Sequence, residues 1–160
     1  MLGQGLVCCF TGHRKIDGNT MRSLSLLLDR ALERLIADGV TVFRTGGAMG
    51  FDTLVSLKIL ELKKRGEDII LELYVPCRTQ ADRWSDCNRE YYGYILENAD
   101  RVIYVSDDYF KGCMHERNRR MVEGSQFCVG FCMTESGGSA YTIDYAKSKN
   151  LRVINLAAML

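Results

Sequence analysis

The 160-residue sequence predicts an α/β fold: a doubly wound, mostly parallel sheet of about six strands with helices on both faces. Two observations carry this. Short β-rich apolar runs alternate along the chain with longer segments of helical periodicity, and most of the runs end in turns rich in glycine, hydroxyl or charged residues. Parallel neighbours need a crossover helix, and units of this size supply one each time.

Strands are expected at Leu6–Phe10, Val40–Phe43, Ile69–Val75, Arg101–Val105, Phe127–Met133 and Leu151–Ile154. The first helix carries Leu24, Leu27, Leu28, Ala31, Leu32, Leu35 and Ile36 at helical spacing. The second carries Phe51, Leu54, Val55 and Leu62, and three more span roughly 83–98, 113–125 and 138–149. Such a Rossmann-like sheet binds its ligand outside the carboxyl ends of the strands, where loops and helix N-termini converge.

Bulk properties narrow the classes. A hydrophobic content of 47% suffices for one core, so residues 1–160 are read as a single domain without linker or repeat. With 21 basic and 20 acidic side chains the net charge is +1, which gives no reason to expect a nucleic-acid or membrane partner. The seven cysteines form no CxxC pair and read as reduced, mostly buried thiols, with no metal site or cofactor implied. Met1 to Gln4 lacks the features of a leader and no apolar run reaches membrane-spanning length, so a cytoplasmic protein is expected. A homo-oligomer is left open.

The residues after each strand are the ones to weigh. Thr11, Gly12, His13 and Arg14 after the first strand make a plausible phosphate-binding turn, although an ordinary tight turn with solvated charges explains them equally well. After the second strand, Gly46, Gly47, Ala48 and Gly50 lead straight into a helix that bears Asp52, and a glycine-rich helix start favours an anion. Arg78 and Arg83 after the third strand offer a phosphate clamp, whereas Trp84, seven residues before Tyr91, reads as core on a shared helix face. Met114, Asn118 and Met121 mark the inward stripe of the fourth helix, with Arg117 at its margin and Arg119 and Arg120 pointing away. A guanidinium beside an apolar stripe needs an anionic partner. After the fifth strand, Gly137, Gly138, Ser139 and Thr142 describe a second phosphate cradle, with Asp144 beyond.

The segments Phe10–Arg14, Gly46–Asp52 and Gly137–Thr142 resemble the SLOG superfamily, specifically its YpsA-like branch (the DUF1273 type), across nearly the whole chain. That resemblance implies a modified Rossmann domain for nucleotides or nucleotide-derived ligands. It also brings in the LOG-type phosphoribohydrolases, whose Met-His-Glu-Arg-Lys segment is matched here through Arg117. Their second segment is altered here, with Ser136, Ala140 and Tyr141 at changed positions and Asp144 where glutamate would stand. The expected function is binding of a nucleotide-type small molecule such as ADP-ribose or an NAD-like ligand, as a sensor or regulatory module. Cleavage of nucleoside 5′-monophosphates is the alternative, with Arg117, Asp144 and Glu116 as the catalytic candidates and Asn118 among the ligand contacts. A nucleic-acid partner is not expected, since no basic stripe with interleaved aromatics emerges.

Overall fold

The computed structural model describes residues 5–160; Met1 to Gln4, the stretch read for a leader, lies outside them. Among the described residues the strands are β1 (Leu6–Gly12), β2 (Val40–Thr45), β3 (Ile70–Val75), β4 (Arg101–Tyr104), β5 (Phe127–Phe131) and β6 (Arg152–Asn155). The helices are α1 (Gly18–Ala37), α2 (Phe51–Lys64), α3 (Asp86–Asn98), α4 (Cys113–Val122) and α5 (Gly138–Ser148), followed by a 3-10 turn at Leu156–Met159. All pairings are parallel, in the order β4-β3-β2-β1-β5-β6. The expected doubly wound fold is therefore present. No helix among the described residues is long and apolar enough to cross a membrane.

Period-two alternation divides each strand between the two faces. Phe10, Phe43, Leu71, Leu73, Val129 and Phe131 join the large core under α1, α2 and α3. Cys9 and Cys128, paired in register, point the other way and meet Met121, Val122 and Ala146 of α4 and α5. Gly130 lies on that second face, where an added Cβ would come within 2.8 Å of Ile143, so α5 rests close on β5. Glu72, only 4% exposed, is also there. Its two oxygens accept from Arg44 Nε at 2.8 Å and Arg101 Nη1 at 2.7 Å, and Arg44 Nη1 also donates to the Glu123 carbonyl at 2.7 Å. One face is thus filled with large apolar side chains, and the other with small residues and an ion network.

Local chemistry moves several boundaries from their expected places. Ser85 caps α3 by accepting from Asn88 N at 3.3 Å, so the helix starts at Asp86 rather than near 83, after turns over residues 78–83. Trp84 and Tyr91 consequently share no helix face: Tyr91 is 46% exposed, and Trp84 packs edge-on against Tyr92 with centroids 5.2 Å apart. Asn155 Oδ1 accepts from Cys132 N at 3.0 Å, ending β5 at Phe131 rather than Met133. Gly124, at φ +84°, follows the end of α4 at Val122. Six cysteines are buried and Cys87 is exposed.

Chain order positions the site. From β1 the chain steps outward through β2, β3 and β4, then crosses back by α4 to β5 on the other side of β1. Strand order reverses between β1 and β5, and the crevice of such a sheet opens above the carboxyl ends of those strands.

Candidate functional site

Three loops converge above that switch point, each held by contacts that the glycines permit. Gly12 lies flat against the Phe51 ring, leaving no room for a Cβ. Phe51 N donates to the His13 carbonyl at 3.0 Å, and a Cβ on Gly50, at φ +73°, would collide with the His13 and Arg14 carbonyl oxygens. The turn after β1 and the start of α2 are thereby locked together. His13 extends the lock to the third loop: its Nε2 accepts from Met133 N at 2.8 Å, and its ring stands edge-on to Phe131.

Arg117 reaches this junction from α4. It is 4% exposed, so its charge is buried and its partners matter. Nη1 donates to the Gly46 carbonyl at 2.6 Å and the Tyr74 carbonyl at 3.2 Å, while Nε donates to Asn118 Oδ1 at 2.7 Å. A Cβ on Gly46 would strike the guanidinium, so the glycine there makes room for the arginine. Among the described residues Nη2 has a hydrogen-bonding contact with the Met114 sulfur alone, at 3.8 Å, and the same sulfur lies 3.6 Å from Arg14 Nη2. Two guanidinium groups therefore flank one thioether with donors to spare.

Asp52 is the acidic member of the group. Its Oδ2 accepts from Ala48 N at 3.2 Å, whereas its buried Oδ1 has no hydrogen-bond partner among the described residues. Burial pushes its carboxyl pKa up to about 6, against the opposing pull of the nearby Arg117 and Arg14 charges. Burial likewise lowers the pKa of Arg117, and Asp52 opposes that shift.

These side chains surround a cavity of about 90 Å³, lined by the end of β1 from Phe10 to Gly12, by Arg14, Ala48 and Asp52, by α4, and by Gly138 and Ser139 at the start of α5. Arg14 and Arg117 outnumber Asp52 as charged lining groups, and the α5 start adds the partial positive charge of a helix N-terminus. The half-open space is large enough for a phosphate-sized group and falls well short of the ~300 Å³ typical of a whole-ligand pocket.

A family comparison fits this architecture. The family model described as the YspA SLOG family (YpsA) matches residues 8–157. The chain belongs to that YpsA family. Similar curated proteins include UPF0398 proteins of Bacillus cereus strain B4264, 28% identical over 145 residues covering 86% of this chain and 77% of the relative, and of strain G9842, 29% identical with the same coverage. Among solved structures, DNA processing protein A from Helicobacter pylori superposes with a TM-score of 0.64 at 17% identity, over 92% of this chain and 63% of that one. The Streptococcus pneumoniae DprA gives 0.67 at 16% identity, over 92% and 49%. This chain thus spans less than two thirds of either DprA chain, and the likeness is one of fold.

Several residues singled out in the YpsA-family sequence stand elsewhere. Arg78 is exposed, with Nε 2.9 Å from Asp107 Oδ1 and its guanidinium stacked over Tyr104. Glu116 accepts from Arg119 at 2.7 Å and Arg120 at 3.2 Å, outside the cavity. Asp144 is exposed, because Thr142, Ile143 and Ala146 form the face of α5 that turns inward. Thr142 Oγ1 is occupied by the Gly138 carbonyl at 2.9 Å, and Gly47 and Gly137 shape their loops at positive φ without lining the cavity. Sequence reasoning missed Met114 as the contact shared by Arg14 and Arg117, although it opens the Met-His-Glu-Arg segment. It also missed the Arg44–Glu72–Arg101 network, for which the signal was a charge at alternate positions in two apolar strands.

Proposed function

We propose that this chain binds a phosphorylated, nucleotide-derived ligand such as ADP-ribose or an NAD-like molecule, with an anionic group in the cavity, as a sensor or regulatory module. The observation that carries the reading is the buried Asp52 Oδ1, without a partner among the described residues, near the Arg14 and Arg117 guanidiniums with their unused donors. A phosphate answers the arginines, and a sugar hydroxyl next to it answers the carboxylate, as acidic residues do at other dinucleotide sites. The exposed position of Asp144 and the pairing of Glu116 favour binding over glycosidic cleavage.

Calorimetric titration and thermal shift with adenosine monophosphate, ADP-ribose and NAD test this. At 100 times Kd a native-state ligand adds about 2.7 kcal/mol of apparent stability. Arg14→Ala, an exposed change that leaves the Arg117 clamp intact, is expected to reduce that gain strongly, and Asp144→Ala to leave it unchanged. Absence of any shift with the whole panel overturns the reading; release of free base from a nucleotide selects the hydrolase instead.

A second reading, single-stranded DNA, is favoured by one feature beyond the likeness to DprA, whose Helicobacter pylori structure concerns single-stranded DNA binding. Packing of α4 on α5 gathers His115, Arg119 and Tyr141 on the surface, with His115 edge-on to Tyr141 at 4.4 Å and Arg119 Nη1 3.0 Å from its hydroxyl. Glu116 offsets part of that positive charge. Anisotropy titrations of an oligonucleotide at several salt concentrations decide it: a steep salt slope supports the reading, and no binding at low salt removes it.

A further inference from the structure

Beside the cavity runs a groove of about 530 Å³ that the reading above does not use. One wall is the turn segment between β3 and α3, including Gln80, Asp82 and Trp84; another is Tyr109 from the loop between β4 and α4, with Met114 completing it. Met114 also lines the cavity, so the two spaces share a wall. Gln80 spans the same junction, its amide 3.4 Å from the Gly46 carbonyl and 3.5 Å from Arg117 Nη1.

The two spaces have complementary sizes and chemistry. The cavity is small and charged, whereas the groove falls within the roughly 300–1,000 Å³ of ordinary ligand pockets and is lined half by aromatic and sulfur-bearing side chains and half by polar ones, Asp82 and Arg83 among them. Trp84 is held in place by its edge-on contact with Tyr92 rather than being absorbed into the core. Tyr109 is 64% exposed, which leaves its ring open to the groove it lines.

We propose that the groove between Trp84 and Tyr109 seats the base of the nucleotide whose phosphate occupies the cavity, with Met114 as the partition between them. The proposal rests on the cavity being an anion site. Aromatic side chains accept any base by stacking, and a thioether conforms to the edge of a flat ring. The ligand therefore lies across the mouth of the cavity, its anionic end under Arg14 and Arg117 and its base toward the loops after β3 and β4.

Trp84 is the only tryptophan in the chain, so intrinsic emission reports on the groove directly. The full chain is titrated with adenosine 5′-monophosphate and, separately, with ribose 5-phosphate, which carries the anion without the base. Expected results are a change in Trp84 emission with the nucleotide but not with the sugar phosphate, and a nucleotide affinity roughly ten-fold or more higher. By calorimetry, Tyr109→Ala and Trp84→Ala weaken the nucleotide by about ten-fold and leave ribose 5-phosphate within roughly two-fold, while Trp84→Phe retains most of the affinity. Equal affinities for the two probes with unchanged emission overturn the base site while leaving the anion site standing. Failure of both probes to bind, or binding indifferent to Arg14→Ala, overturns the cavity reading and the base site with it.

Discussion

The two faces of the sheet solve the same burial problem with different materials. Under α1, α2 and α3 the strands present Phe10, Phe43, Leu71, Leu73 and Phe131, and the face is held mainly by apolar area, with one buried hydroxyl pair, Thr45 and Ser56, at 2.8 Å. Under α4 and α5 they present Cys9, Cys128 and Gly130, and between them Arg44 and Glu72. Small side chains let α5 approach closely, and the ion network fills the space under the end of α4. The difference teaches where the cavity forms: it opens on the arginine-bearing side, while the phenylalanine side braces the turn after β1 through the Phe51 ring against Gly12.

Substitutions can break that contrast at both ends. The largest effect is expected from Phe43→Ala, fully buried on the apolar side, which costs ~3–5 kcal/mol as a cavity with lost transfer energy; urea denaturation measures it. On the charged side, Glu72→Ala leaves Arg44 buried without its carboxylate and costs about 3 kcal/mol. If the network is only a solution to filling space, the joint change Arg44→Met with Glu72→Leu costs less than Glu72→Ala alone. A double variant as unstable as the sum of both single ones contradicts that.

Asp52 gives a smaller and pH-dependent effect. Its carboxyl pKa is raised in the folded chain to about 6, so the folded state holds the proton more tightly than the unfolded one. The associated stability is fully present below about pH 4 and is lost as pH rises through about 6, amounting to roughly 3 kcal/mol at most. Asp52→Asn is expected to flatten this part of the stability profile and to stabilise the free protein at pH 8 by ~1–3 kcal/mol, while weakening the ligand. An unchanged profile between pH 4 and 7 contradicts the assignment. Loss of binding together with that gain in stability would mark Asp52 as a functional group rather than a structural one.

Much of the fold was legible because its determinants are local. Apolar runs of strand length, the long period of α1 and the glycine-rich turns each report on a few neighbouring residues, and they located all six described strands to within a few residues. The α3 start was misplaced because one serine cap at Ser85 outweighs the helical pattern upstream of it. Of the site, the sequence picked out the strand ends and the inward side of α4. It put Arg117, whose donors meet the Gly46 and Tyr74 carbonyls, only at the margin of that side, and kept Glu116, whose partners are two arginines on the next turn, beside it as a catalytic candidate. Adjacent residues on a helix differ by about 100° in direction, and only the packing of α4 against the sheet decides which one turns inward.

By itself, then, the sequence determined the element order, the parallel sheet and the glycine-rich loops at the carboxyl ends of the strands, since periodicity and turn chemistry act over short distances. The tertiary structure alone decided that Asp52 Oδ1 is left without a partner, that Asp144 faces outward, and that Trp84 and Tyr109 share one groove. Those outcomes depend on how helices far apart in the chain cross one sheet edge, and no local rule carries that information.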